Sequence, residues 1–507
     1  LLKVIQRDYK LNSYKLDKVA ENFIKGDVLS YNILEKNKKK KKNNKIVSYT
    51  SYYTELKITN IDDINKNNYI KIVVDGEDYF EDKKFKIIKT DKDNDKIYIK
   101  AKLDEEISKS KISWGLVKDD VKPQDIFKLQ EGTSKDRKKI AEYCVMDCAL
   151  CNRLIAKLMI VTNNIAMANV CSVPLSYIFL RGQGIKTQSL VAKTCRQLNH
   201  VMPYLKYNNN YQAQTGFEGA TVFKPILGFY KRPIAVLDYA SLYPSSMIMN
   251  NISHEKLVDN PKYDNLPDYE YNDITYNETY EGIDGDKKTR QKICRFAKKK
   301  DGSLGIIPLI LKNLLSERKA TKKEMKKEKD KDKKALLDGK QLALKITANS
   351  VYGQCGASTS TIYLKAIAAS TTATGRFMLE LARDYMENDF PIIVKNIYDA
   401  IKDKNEEKFN KILDQELKER DNKKFIDMMK KQLTEIFDNY NIKPVTMYGD
   451  TDSVFIDFFI QDKDGIDLVT KQGLIYAINL GEIAGVLIKS RLRQPQDLEY
   501  EKTFWPF

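Results

Sequence analysis

The chain has 507 residues, with 87 Lys+Arg against 70 Asp+Glu and a formal net charge of +17. That length allows several domains and a substantial core, and the positive balance suits a phosphate-binding surface. Seven cysteines with only His200 and His254 for company exclude a disulfide framework and a zinc site, and the longest apolar stretch, Gly473 to Lys489, is broken by Asn479 and Glu482, so no membrane span is expected. Lys and Asn are abundant throughout, as a coding bias toward A and T would also produce, so nucleic-acid affinity is not assigned from net charge alone.

Leu1 to Leu34 opens with Lys-Leu-x-Ser-Tyr-Lys-Leu and a helical pattern. Residues 36–103 follow as a Lys/Asn/Asp-rich insertion with strand-like runs at Tyr69 to Val74 and Lys96 to Lys102, a small β excursion. Its run Lys38 to Lys42 is expected to be a disordered loop; a nuclear localisation signal and a nucleic-acid contact are the competing readings. Cys144, Cys148 and Cys151 recur at helical spacing and are expected as core thiols.

Further on, the apolar strand Ile234 to Leu237 ends in Asp238, and Pro244 suits the first turn of the helix that follows. The turn's backbone N–H groups could receive phosphate oxygens, but an aspartate here is equally an N-cap. Ile310, Leu311, Leu314 and Leu315 form an apolar ridge running into Arg318 and Lys322, and Lys345, Asn349 and Tyr352 share one helix face at i, i+4 and i+7. Cations on an apolar footing fit triphosphate binding; a solvated face is the alternative. Between Asn388 and Asn441 lies a Lys/Glu-rich helical insertion, expected only at the surface. Val445 to Tyr448 and Val454 to Phe458 read as two strands joined by Gly449-Asp450 turn chemistry. By period-2 alternation, Asp450 and Asp452 point the same way and could bind a hard cation. An acidic pair at a turn is as readily a solvated surface turn, so the site needs Asp238 as a second, independent carboxylate.

Three of these blocks carry a resemblance: Asp-x-x-Ser-Leu-Tyr-Pro-Ser at Asp238 to Ser245, Lys-x-x-x-Asn-Ser-x-Tyr-Gly at Lys345 to Gly353, and Tyr-Gly-Asp-Thr-Asp-Ser at Tyr448 to Ser453. Phe217 to Val222, Asn313 to Lys319 and Val173 to Tyr177 extend it. In this order the chain resembles family B DNA polymerases, most closely the delta-like replicative enzymes of large DNA viruses and eukaryotes. The resemblance implies an α/β fold: an α+β palm on an antiparallel sheet, a helical fingers hairpin, and the C-terminal part of an RNase H-like exonuclease domain. It places that last part at 1–200 with the insertion 36–103, the palm at 201–301 and 354–507 with the helical insertion 388–441, and the fingers at 302–353. The thumb would come after residue 507, and the chain is read as a fragment.

The resemblance also implies roles. Asp238 and Asp452 would hold two Mg²⁺ ions, with Asp450 in support, and Glu501 near the last palm strand would be an auxiliary acid. Ser241, Leu242 and Tyr243 would bind phosphate oxygens through their backbone, and the Tyr243 ring would clash with a 2′-hydroxyl. Arg318, Lys322 and Lys345 would hold the triphosphate, Lys345 protonating pyrophosphate, while Asn349 and Tyr352 would lie by the nascent base pair. Tyr143 and Asp147, at i and i+4, match the third exonuclease motif, but the partner carboxylates are missing, so the chain as given is expected to lack a competent proofreading site. Implied partners are primer-template DNA, deoxynucleoside triphosphates and, for the parent protein, a sliding-clamp processivity factor. The implied setting is intracellular, a host nucleus or a cytoplasmic viral replication site. A non-catalytic DNA-binding remnant and an RNA-making polymerase are the alternatives; four intact motif residues speak against the first and the bulk of Tyr243 against the second.

Overall fold

The computed structural model describes residues 1–507 except 43–44, 80–82, 105–106, 108–109, 119–120, 122, 203–214, 282–285 and 418–422, and leaves aside the side chains of 37–42, 45–49, 123, 215 and 331–332. The chain divides into two units, Leu1–Ile165 and Ala166–Phe507.

In the first unit, α1 (Leu2–Asp8) and α2 (Leu16–Phe23) precede seven strands: β1 (Lys25–Lys42), β2 (Lys45–Ile58), β3 (Tyr69–Val74), β4 (Glu77–Asp78), β5 (Phe85–Asp91), β6 (Lys96–Ile99) and β7 (Ile112–Val117). Among the described residues these pair antiparallel in the order β4-β3-β5-β6-β2-β1-β7, and β3 also pairs with β7. Six strands therefore close into a ring. Closure removes unpaired edges. The alternating Ile-x-Ile patterns of β3 and β6 and Phe-x-Ile of β5 turn one side inward: Ile70, Ile72, Phe85, Ile87, Ile97, Ile99, Leu56 and Trp114 are all buried. The insertion is thus not a small excursion but most of this unit's core. The Lys38–Lys42 backbone, expected as a disordered loop, lies in β1 and pairs with β2 as far as Lys42↔Lys45. Two helices, α3 (Pro123–Glu131) and α4 (Ser134–Lys157), follow; α4 starts on a Thr133/Asp136 capping box. Cys144 and Cys148 on α4 are exposed rather than core thiols, because the face that packs is that of Leu150 and Leu154.

α5 (Ile160–Cys171) spans the division. The second unit begins with α6 (Leu175–Leu180) and α7 (Gln183–Gln197), whose Leu190, Val191 and Cys195 join a core with Met247, Ile307 and Val351. The segment up to residue 200, expected with the first domain, therefore packs in the second unit. The strands β8 (Thr215–Phe217), β9 (Val222–Phe223) and β10 (Ile234–Tyr239) lead to α8 (Leu242–Met249); β11 (Leu257–Val258), β12 (Tyr269–Glu281) and β13 (Lys287–Lys299) come next. Then come α9 (Ile306–Lys327) and α10 (Lys331–Gly356), a long helical hairpin whose connection is shorter than the charge run suggests because α9 continues through Lys327. The remainder is α11 (Lys365–Asp384), α12 (Phe390–Lys402), α13 (Glu406–Glu416), α14 (Lys423–Asn439), β14 (Tyr440–Asn441), β15 (Val445–Asp450), β16 (Ser453–Asp457), β17 (Gln461–Asp462), α15 (Lys471–Leu487) and β18 (Leu498–Phe504).

Among the described residues a five-stranded antiparallel sheet, β18-β10-β16-β15-β9, forms the centre of this unit, and β11-β13-β12-β8 form a second sheet. Helices cover the central sheet. Leu480, Ile483, Ala484 and Leu487 of α15 are fully buried there with Leu237, Val454 and Leu498, so the stretch Lys471–Arg491, apolar and long enough for a membrane span, is over half buried, as in a core helix. The insertion 388–441 is not merely superficial: Phe390, Val394, Ile397, Leu413, Met429, Leu433 and Ile436 are buried in the same core. Its apolar residues recur at helical spacing beneath the Lys/Glu face, as in any amphipathic core helix. Between α11 and α12 the helix widens to a π turn at Tyr385–Asp389, two residues before Pro391, whose missing N–H and ring disrupt the regular ladder there.

Candidate active site

β10 is buried along Ile234 to Leu237, carries the half-buried Asp238 as its next-to-last residue and ends at the buried Tyr239. It lies between β16 and β18, with Asp238 opposite Ser453 on one side and Glu499 on the other. Tyr239 N–H donates to the Asp452 carbonyl at 2.8 Å, tying the end of β10 to the β15–β16 turn. That turn is Thr451-Asp452, with Thr451 in the left-handed region at φ 54, an uncommon conformation for a β-branched residue. Asp450 thus ends a strand while Asp452 lies in the turn, and the alternation rule does not apply to them. Asp450 ends β15, with its carboxylate taking bonds from the Thr451 hydroxyl at 2.9 Å and the Tyr448 hydroxyl at 3.3 Å. Gly449, expected as turn chemistry, lies within β15; a Cβ there would meet the Phe223 ring at 2.6 Å, so glycine admits that ring.

The field at this place is strongly acidic. Burial pushes the Asp238 carboxyl up to about 6, and the like charges of Asp452 and Glu501 add to it against Lys345 and Lys502. Burial likewise raises Asp452, helped by Asp450 and Glu501 and opposed by a backbone hydrogen bond and Lys345. Glu501 gets there by a β-bulge: Leu237 pairs with Tyr500 and Val236 with Lys502, leaving Glu501 as the extra residue. The alternative N-cap role for Asp238 does not hold, since Ser241 is the N-cap of α8, at φ 56.

The cations come from the hairpin. Lys345 on α10 acts on both Asp238 and Asp452. Lys322 on α9 is pushed down by burial and by the neighbouring charges of Arg318, Lys345 and Lys326, against Glu499. Burial alone lowers Arg318, whose Nε lies 3.4 Å from the Gln341 side chain. A cluster of cations on these two helices suits an anionic ligand. Tyr243, the second residue of α8, has its ring centroid 4.4 Å from that of Tyr352 on α10. Its hydroxyl is pushed up to about 12 by burial, with Tyr352, Asp452 and Asp450 adding and Arg376 opposing. Leu242 is buried, so only its backbone can serve a ligand, and Asn349 is exposed one turn beyond Lys345.

Two half-buried, mutually repelling carboxylates fit a divalent cation. Among the described residues no group of three or more His, Cys, Asp or Glu could enclose a metal by itself. One or two carboxylates completed by water and phosphate oxygens are how Mg²⁺, rather than zinc or calcium, is ordinarily held.

The model for DNA polymerase family B matches residues 173–507. The chain belongs to this family. It is 41% identical over 554 residues to a DNA polymerase of Pyramimonas orientalis virus, covering all of this chain and 39% of that protein. A DNA polymerase of Phaeocystis pouchetii virus is 37% identical over 526 residues, covering 97% of this chain and 45% of the relative. The DNA polymerase delta catalytic subunit of Glycine max is 34% identical over 392 residues, covering 77% and 29%. The chain thus spans less than half the length of these relatives.

Several contacts carry no local sequence signal. Arg376 on α11 donates to the carbonyls of Glu218 and Gly219, 2.7 Å each, and Thr372 also reaches Glu218 at 3.0 Å. Thr451 N–H donates to the Thr221 carbonyl at 3.2 Å, so the Phe217–Val222 block is pinned beside the acidic turn. Gly375 leaves room for Tyr243, since a Cβ there would lie 2.9 Å from the ring. In the first unit, Lys118 donates to Tyr143 at 2.8 Å and Asp147 at 3.2 Å. The sequence reading paired Tyr143 with Asp147 but missed this lysine, 25 residues upstream of Tyr143.

Proposed function

We propose that this chain carries the nucleotide-adding centre of a template-directed DNA polymerase, joining deoxynucleoside triphosphates to a primer 3′-hydroxyl with release of pyrophosphate. The observation that carries the reading is the convergence of Asp238, on strand β10, and Asp452, in the β15–β16 turn, with Lys345 acting on both. Asp238 and Asp452 would hold two Mg²⁺ ions, with Asp450 bracing the turn and Glu501 as an auxiliary acid. Such ions, when bound, lower the pKa of an attacking hydroxyl and neutralise a triphosphate. Arg318, Lys322 and Lys345 orient the triphosphate, and Lys345 is placed to give its proton to departing pyrophosphate. The backbone of Ser241 to Tyr243, at the start of α8, offers N–H groups to phosphate oxygens. Asn349 and Tyr352 flank the new base pair. The palm would comprise 201–301 and 354–507 and the fingers 302–353, with the first unit and Tyr143, Asp147 and Lys118 forming part of a proofreading domain completed in the longer protein. Primer-template DNA is the substrate, a sliding clamp is a partner of the parent protein, and the setting is a host nucleus or a cytoplasmic viral replication site.

Extension of a labelled primer-template, with Asp452→Ala as control, tests the reading; loss on the order of 10³-fold is expected, and wild-type-like extension by the variant would refute it. Tyr243→Ala is expected to admit ribonucleotides, shifting the deoxy-to-ribo preference on the order of 10²-fold. Selectivity unchanged in competitive incorporation would relegate Tyr243 to packing. The chain as given should not trim single-stranded DNA 3′ ends; robust Mg²⁺-dependent trimming, abolished by Asp147→Ala, would show the exonuclease site to be complete.

A further inference from the structure

The root of the helical hairpin is built by residues that sit outside it. Asn251 ends α8: it adopts the left-handed region at φ 54, its N–H donates to the Ile248 carbonyl at 3.3 Å, and the Ile252 N–H donates to the Met247 carbonyl at 2.9 Å. Helices commonly stop in this way. The same asparagine starts α9. Its side-chain oxygen accepts from the Gly305 N–H at 2.7 Å, Glu255 accepts from the Ile306 N–H at 2.7 Å, and the Ser253 hydroxyl accepts from the Ile307 N–H at 3.2 Å. Pro308 has no N–H to offer, so every donor that a helix N-terminus leaves without an internal partner is accounted for.

The segment Asn251 to Glu255 thus grips the start of α9, and it reaches the other leg of the hairpin too. The Ser253 hydroxyl donates to the second Glu255 oxygen at 2.7 Å, and the Asn251 amide donates to the Ala297 carbonyl of β13 at 2.9 Å. His254 Nε2 lies 3.0 Å from the carbonyl of Ile362, in the connection between α10 and α11; a carbonyl only accepts, so this nitrogen carries the proton. Gly305 lets the grip close, since a Cβ there would lie 2.7 Å from the Ser253 Cβ. Apolar packing of Ile307, Ile310, Leu311 and Leu314 sets how near α9 lies to its neighbours but has no direction of its own. Hydrogen bonds have one. Arg318 and Lys322 lie about 20 and 26 Å along α9 from Gly305 at the usual helical rise, so a tilt of about 5° at the root moves them by about 2 Å.

We propose that Glu255 is a positioning residue for the incoming nucleotide: with Asn251 and Ser253 it caps α9 from outside and so aims Arg318 and Lys322 at a triphosphate that it does not itself touch. The identity of that anion rests on the polymerase reading; the aiming of the two cations does not. Cations already held in the binding arrangement lose less freedom when the anion arrives, so the cap is felt as nucleotide affinity. Lys345, on α10, is carried by the other leg. Loss of the cap therefore weakens the grip on the triphosphate more than it slows the chemical step.

The test measures KM and kcat for a deoxynucleoside triphosphate at saturating primer-template, and equilibrium binding of mant-labelled deoxyadenosine triphosphate with Mg²⁺ and no primer, in the whole chain and its variants below their melting range. Glu255→Ala is expected to raise KM and the labelled nucleotide's Kd about tenfold, while kcat changes less than about threefold. Glu255→Gln keeps an acceptor for Ile306 and should stay within about twofold of wild type. Ser253→Ala removes only the acceptor of Ile307; it should raise both constants about threefold, and it carries the test if Glu255→Ala does not fold. Glu278→Ala, destabilised at another place, should leave KM unchanged. A wild type that binds the labelled nucleotide but extends no primer, with the Glu255→Ala loss of binding intact, would sustain the positioning role while the polymerase reading falls. An unchanged KM and Kd in Glu255→Ala and Ser253→Ala, an equal rise in Glu278→Ala, or a Glu255→Gln protein as weak as Glu255→Ala would overturn the proposal.

Discussion

Asp238→Asn is expected to abolish primer extension while making the metal-free protein harder to melt. The two effects have one cause. Folding brings Asp238 from water to a half-buried strand end beside Asp452 and Glu501, so its charged form is disfavoured and its carboxyl rises to about 6. The unfolded value is about 3.9. A carboxyl raised by folding contributes stability that is complete below the unfolded pKa and lost as pH rises through the folded one. The metal-free protein should therefore melt at lower temperature at pH 7 than at pH 5, and asparagine should flatten that difference. After screening by the solvent that reaches this residue, the gain at pH 7 is about 1 to 2 kcal/mol, read as a thermal shift of a few degrees. Mg²⁺ should stabilise the wild type and not the variant. A variant that melts lower at pH 7, or that still extends primers, contradicts the assignment.

Glu278→Ala is expected to cost stability without touching the chemistry. Glu278 is 1% exposed on β12 and receives Arg290 at 2.7 and 2.8 Å from the opposite residue of β13. It also pairs closely with Lys365, the first residue of α11, a helix end where a cation alone is unfavourable. Burial would raise this carboxyl, but the hydrogen bonds from Lys365 and Arg290 outweigh it and hold it below the usual range. Its contribution is present above the unfolded pKa and lost as pH falls through the folded one, so wild type and variant should converge under acid conditions. At neutral pH the loss should be about 2 kcal/mol, since truncation removes the charge-assisted hydrogen bonds that the partly exposed Lys365 and the exposed Arg290 make to Glu278. Denaturant melts at pH 7 and at about pH 2.5, well below the ordinary carboxylate range, check this; equal losses at both would show that packing, not charge, is what Glu278 supplies.

The chemistry-bearing residues were legible because each block pairs a required residue type with its local scaffold: a strand end for Asp238, a helix face for Lys345 and Tyr352. Long-range arrangement was not. Nothing near the Lys/Asn/Asp-rich insertion says that β3 will meet β7 and close a ring, since closure depends on partners over forty residues apart. Lys38 to Lys42 reads as unstructured because like charges oppose a strand, yet pairing with β2 holds its backbone. The 388–441 insertion looked superficial because Lys and Glu dominate its composition, while burial follows the apolar stripe beneath them. Gly449 and Gly375 have no turn to announce them; their reasons are the rings of Phe223 and Tyr243, brought from distant elements. Arg376 was missed because its acceptors are backbone carbonyls, which no side-chain pattern encodes.

The most direct test of the central claim is to locate Mn²⁺ by anomalous scattering in crystals of the chain with primer-template and a non-hydrolysable deoxynucleoside triphosphate. The account predicts metal density between the Asp238 and Asp452 carboxylates, with the triphosphate on the side of Arg318, Lys322 and Lys345. Metal bound elsewhere, or a triphosphate away from those three cations, would contradict it.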